Sequence, residues 1–307
     1  MTLQTIQSAK SVPFSIQDRS VATRSVAVRS IHDAFRTLEG DGFEVRRAIP
    51  SQAYEAIGPF IFLDHFGPID VKPGEAKGAS AHPHAGIETL TLLLEGRSEH
   101  KDSLGNASSM RPGEVQWMRA GRGVIHDEGP DELMRREGGP LHGVQLWINM
   151  PKGGKHATPA YRHIPASEIP ALADGRVTTR LVAGTLGAMQ GPVETTGAPF
   201  VAHLSFAADS RTMLATSGIA ELGVYVMVGA VAVGDEATAI QAGQLARLTA
   251  GEFLTLQATA GSEVVVVGGD PLDAPILRHG PFVMNTMDEL EGAVRDYHAG
   301  RMGHIPA

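Results

Sequence analysis

Two short clusters hold the side chains best suited to chemistry. His82-Pro83-His84 and His126-Asp127-Glu128 each place two metal-capable groups at i and i+2. On a β-strand that spacing turns both side chains to the same face, because the side-chain period is two. One such pair is ordinary among surface histidines. Two pairs on separate strands, one of them adding a carboxylate, outline a site of three imidazoles and one carboxylate: His82, His84, His126 and Glu128.

The chain between the pairs must fold back for them to meet. Residues 88–95 and 115–119 read as strands, and the turns lie at residues 102–106 and at Pro112-Gly113. Residues 89–92 alternate as a half-buried strand does. Pro83 and Gly86 suit the rim of a barrel, since neither belongs inside a central strand. Nitrogen and oxygen ligands without sulfur suit Fe(II), Mn(II), Ni(II) or Cu(II), and spacing does not choose among them. Four protein ligands on an octahedral ion leave two positions open. Glu128 is both an expected ligand and a candidate base toward a substrate hydroxyl.

The stretches HPHAGIETLTLLLEG, KDSLGN and RPGEVQWMRAGRGVIHDE, with PFIFLDHFGP upstream and HGVQLWINMP and GPFVMNT downstream, closely resemble the pirin family of the cupin superfamily. The resemblance runs from about residue 30 onward and implies an all-β bicupin: two β-barrel or sandwich domains and a C-terminal helix. It implies the same ligands, His82, His84, His126 and Glu128. Glu88, where many other cupins place a ligand glutamate, is not a ligand in the pirin pattern. The resemblance implies one divalent metal, iron before Ni, Mn, Cu or Zn. It implies quercetin 2,3-dioxygenase chemistry, with a flavonol and O2 as substrates and Glu128 taking the 3-hydroxyl proton. It also implies a rival role: a non-enzymatic, redox-dependent regulator that binds a transcription factor or a metabolic enzyme.

Composition narrows the classes. The 307 residues suit two domains, and 36 glycines with 19 prolines suit many tight turns. A net charge of −8 argues against an electrostatic grip on nucleic acid. With no cysteine, disulfides, thiolate metal sites and cysteine nucleophiles are excluded. Residues 1–20 read as a polar, flexible tail and lack the apolar core of a signal peptide, and no apolar run reaches membrane-spanning length. A cytoplasmic monomer is expected.

The expected divisions are a metal-binding cupin domain over 21–158, a metal-free cupin domain over 159–275 and a helical segment over 276–307. Residues 71–81 read as a loop leading to His82. In the second half, residues 177–183, 201–207, 225–233, 244–248, 252–258 and 263–267 read as strands. Gln241-Ala242-Gly243-Gln244 echoes Arg111-Pro112-Gly113-Glu114, and residues 225–229 echo 92–96, which predicts an internal repeat. The second copy carries no ligand pair; its His203 stands alone and is read as structural. Thr286-Met287-Asp288-Glu289 is a capping box, with Leu290, Val294 and Tyr297 on one helical face and Gly300 as the stop. Of Trp117 and Trp147, one is expected near the metal cavity.

Overall fold

The turn-bounded strands assemble into antiparallel sheets, and the protein is 54% strand and 8% helical, which makes it all-β. The computed structural model describes residues 24–306; the expected tail over 1–20 lies outside the described residues. In the first half a seven-stranded sheet runs in the order Ala160–Ile164, Val115–Arg119, Ile87–Glu95, Gly139–Asn149, Phe60–Val71, Phe43–Ile49 and Phe35–Glu39. A four-stranded sheet faces it in the order Ala79–His84, Val124–Pro130, Ser98–Asp102 and Ala107–Met110. The second half repeats the plan with one seven-stranded and one four-stranded sheet.

The repeat extends to individual hydrogen bonds. Gly113 N donates to Leu93 O at 2.7 Å, and Gly243 N donates to Val226 O at 2.8 Å. Both glycines have φ near +84° (84° and 83°), the left-handed conformation such a turn needs. In each copy the last residue of the turn reaches back: Glu114 Oε2 accepts from Arg111 N, and Gln244 Oε1 accepts from Gln241 N.

The two large sheets stack face to face. Leu90, Leu92, Trp117, Val144 and Leu146 pack in one cluster with Tyr225, Met227, Leu245 and Val265 of the second half. This overturns the half-buried reading of residues 89–92. Every side chain from Ile87 to Leu93 is buried, because one face of the strand lines the barrel and the other meets the second domain. The stack is tied at both edges by strands that cross the 158/159 division. Val28–Asp33 pairs with Gln244–Leu248 before the chain enters Phe35–Glu39 of the first sheet. Ala160–Ile164 pairs with Val115–Arg119 before the chain enters Ala171–Ala173 of the second.

Two local expectations are also corrected. The 71–81 loop is shorter, since Val71 still pairs with Gly139 and Ala79 already pairs with Glu128. The C-terminal helix Met287–His298 has the expected capping box, but it buries Leu290 and Ala293 and leaves Tyr297 36% exposed. The second barrel is filled by apolar side chains such as Leu204, Phe206, Val224, Val266 and Leu254, which leaves a packed core where the first barrel has a cavity.

Between the stacked sheets runs a buried polar chain. Tyr225 Oη lies 3.1 Å from His65 Nδ1, and His65 Nε2 lies 3.0 Å from His142 Nε2. Nearby, His203 Nε2 is 2.6 Å from a Glu263 oxygen, so the histidine that stood alone in sequence is paired in the fold. Burial lowers His65 to about 3 and His142 to about 4, so both are neutral in the folded protein. The unfolded chain takes up protons below about pH 6.5, so stability falls as pH drops from there toward 4. His142→Gln is expected to shrink the loss of unfolding free energy between pH 7 and pH 5 by about 1–2 kcal/mol. Denaturant titrations at the two pH values measure it, and an unchanged difference would contradict the role given to His142.

Candidate metal centre

Strands Ala79–His84 and Val124–Pro130 lie antiparallel, with His82 directly opposite His126 and His84 opposite Val124. Three of the four expected ligands converge. His82 Nε2 is 3.1 Å from His84 Nε2 and 3.0 Å from His126 Nε2. The remaining ring nitrogens of the first pair face carbonyls: His82 Nδ1 is 2.9 Å from Ser80 O, and His84 Nδ1 is 3.3 Å from Pro281 O. Donation from each Nδ1–H fixes the tautomer and turns the Nε2 lone pair toward the common point. Burial pushes His84 down to about 3, with neighbouring His82 adding to the effect, and His126 lies well below the usual imidazole range.

Glu128 stands slightly apart. The pairing register slips between His126 and Glu128, so that Glu128 faces Ala79 across a β-bulge. A bulge re-aims the side chains beyond it. The carboxylate lies 3.6 Å from His126 Nδ1, accepts a hydrogen bond from Gln145 Nε2, and groups with His100 and His126. Burial raises its pKa, while His100, His82 and the Gln145 hydrogen bond pull it back. Glu88 is the other candidate carboxylate of this region. It points into the layer between the domains, where it accepts from Trp117 Nε1 at 3.0 Å and Thr196 N at 2.8 Å. Strand alternation alone separates it from the cavity-facing Thr91 and Leu93.

The three nitrogens fit a metal ion. Lone pairs of neutral imidazoles repel one another at 3 Å, and a cation removes that repulsion. Two nitrogens bound at roughly 2.1 Å to one ion are about 3.0 Å apart at a right angle and about 3.4 Å apart at the tetrahedral angle. The separations of 3.1 and 3.0 Å are of the size that donors sharing one ion require.

Behind this group sit residues that the sequence reading missed. His100 is buried on Ser98–Asp102, opposite Glu128 in the register, and stacks on Tyr161 at 4.1 Å between centroids. Its Nε2 is 3.2 Å from Asp102 Oδ2. In sequence it is a lone histidine among charged residues, and only the pairing register exposes it. Gln145 gave no signal beyond its place in an alternating strand.

The site opens into a cavity of about 620 Å³. Its wall is aromatic: Phe62 and Trp147 stack at 4.4 Å with planes 13° apart, and Trp147 meets the His84 ring edge-on at 4.9 Å. Trp147 is thus the tryptophan at the cavity, whereas Trp117 packs in the core between the domains. At the outer end the Arg47 guanidinium lies 4.3 Å from the Phe62 centroid and pairs with Asp64 through bonds of 2.9 and 2.7 Å.

Two stacked β-barrels, with histidines converging in one of them, define a bicupin. A model of the pirin family matches residues 42–148, and a model of the pirin C-terminal cupin domain matches residues 201–303. The chain is 37% identical over 274 residues to a Pseudomonas aeruginosa protein named "Putative quercetin 2,3-dioxygenase", covering 88% of this chain and 95% of that one. It is 35% identical to a pirin-like protein of Caulobacter vibrioides, covering 89% and 93% of the two chains. A crystal structure of quercetin 2,3-dioxygenase from Acinetobacter baumannii superposes with a TM-score of 0.85 at 31% identity, covering 92% of this chain and 99% of that one. The chain belongs to the pirin family. No helix among the described residues is long and apolar enough to cross a membrane.

Proposed function

We propose that the protein is a metal-dependent dioxygenase of the quercetin 2,3-dioxygenase type, acting on flavonols with O2. Its ligands are His82, His84, His126 and Glu128, and its metal is one Fe(II). The reading rests first on the three converging Nε2 atoms, at 3.0 and 3.1 Å, beside an aromatic-walled cavity. The names of the relatives support it. When bound, the ion supplies Lewis acidity toward a substrate hydroxyl and a coordination position for O2.

The chain's own residues do the remaining work. The flat Phe62–Trp147 stack receives the planar rings, with Leu93 and Leu141 closing the apolar lining. These side chains exclude water from the reacting face. Glu128 takes the 3-hydroxyl proton at a carboxylate oxygen, a task suited to a carboxyl whose pKa burial has raised. Gln145 holds the carboxylate toward the cavity through its amide N–H. Asp102 fixes the ring of His100, which faces Glu128 from the next strand.

Adding quercetin to the iron-loaded protein is expected to shift the flavonol's absorption band and then to yield the ring-cleaved depside. Metal-free protein should give neither. A regulator would give no product and would bind a protein partner according to the oxidation state of its metal. That pair of results would replace the enzymatic reading.

A further inference from the structure

Residues 277–303 follow the second barrel in sequence, yet they pack on the first. Leu277–His279 and Phe282–Met284 form a hairpin whose Phe282 bridges Ala85, the residue after His84. Val283 N donates to Ala85 O at 3.0 Å, and Pro281 O is the carbonyl facing His84 Nδ1. The approach is close enough to require glycine at 86. A Cβ there would stand 1.9 Å from Val283 O, and Gly86 has φ +76°.

A buried lysine locks this contact. Lys155 has no exposed surface, and its Nζ donates to Gly86 O at 2.8 Å, Val283 O at 2.9 Å and Asn149 Oδ1 at 2.6 Å. All three of its protons are used, so it ties the hairpin to the turn after His84. The rest of the arm backs the opposite strand. Leu290, Ala293 and Met302 cluster with Ala85 and Ile125, the neighbours of His84 and His126. Ser103 Oγ donates to Met302 O at 2.7 Å and accepts from Ile125 N at 3.1 Å.

We infer that residues 277–303 form a docked arm that positions His84 and His126 for metal, with Lys155 as its principal positioning residue, and that arm docking and metal binding are thermodynamically coupled. The inference rests on the proposed metal site. With the arm in place, the His84 ring has one orientation and one free lone pair. With it displaced, the ring regains its rotation, and the cavity loses the wall formed by Arg278, Gly280 and Pro281. Coupling is reciprocal: an arm that strengthens metal binding is itself held down by the metal to the same degree.

The test uses the full chain and Ni(II) as the probe. Hydrogen exchange at the Val283 amide is followed with and without the ion, and affinity is measured by chelator competition. Metal is expected to slow that exchange at least tenfold in the wild type. Lys155→Met, similar in length but without donors, is expected to bind Ni(II) at least tenfold more weakly and to lose the metal-dependent protection. A purely structural arm would not change its exchange with metal. Wild type that binds Ni(II) with unchanged arm exchange, or Lys155→Met with wild-type affinity, would overturn the inference and leave the metal site standing. Wild type that binds no metal would overturn both. The exchange comparison needs no variant, so it decides the matter even where Lys155→Met fails to fold.

Discussion

Replacing His126 by alanine is expected to remove the metal from the protein while leaving the barrels folded. Its Nε2 lies 3.0 Å from His82 Nε2, and its ring centroid lies 5.0 Å from that of His84 and 5.3 Å from that of His100, tilted to both. It belongs both to the three-imidazole group and to the group with His100 and Glu128. Loss of a residue that merely supports a ligand typically costs 10- to 100-fold in affinity, so loss of a proposed ligand such as His126 should cost more than about 100-fold. Elemental analysis of the variant against wild type measures it, with circular dichroism to confirm the fold. His82→Ala should behave alike. Wild-type occupancy in both variants would remove the centre from the account.

The second large effect concerns Glu128. Glu128→Gln keeps an oxygen that can coordinate but loses the ability to take a proton at neutral pH. Turnover should fall about 10²- to 10⁴-fold, the range of general base catalysis. Metal affinity should fall less than turnover, by about 10- to 100-fold, because the amide oxygen can still coordinate. The carboxylate lies beside His126 Nδ1 and accepts a hydrogen bond from Gln145. Steady-state rates at matched metal content measure the effect. Equal losses in rate and affinity would make Glu128 a ligand only.

The three-histidine part of the candidate site was legible from strand periodicity. The pair at 82/84 and His126 needed only two adjacent strands to meet, and the turn chemistry at Pro112-Gly113 supplied the return. The repeat was legible for a related reason, since Gly113 and Gly243 answer the same backbone demand in both halves. The capping box at Thr286 and Glu289 was local chemistry and formed as written.

What escaped the sequence depends on distant partners. The bulge that carries Glu128 away from the three-nitrogen group lies in the pairing register between two strands, and neither strand's residue pattern reveals it. His100 reaches Glu128 through strand pairing 28 residues away (128 − 100), and Gln145 through a side-chain hydrogen bond from the facing sheet 17 residues away (145 − 128). The burial of Thr89 and Thr91 depends on a second domain covering the outer face of their strand. Pro281 reaches His84 across 197 residues, a contact that no local pattern announces.

The central claim is that this centre oxygenates flavonols, and oxygen uptake tests it most directly. Wild-type protein loaded with iron, the metal-free protein and Glu128→Gln at the same iron content would each be given quercetin in an oxygen electrode. The account predicts rapid uptake by the first, none above the free-iron background by the second, and a small residual rate by the third. Uptake by iron-loaded wild type no faster than the free-iron control would contradict it.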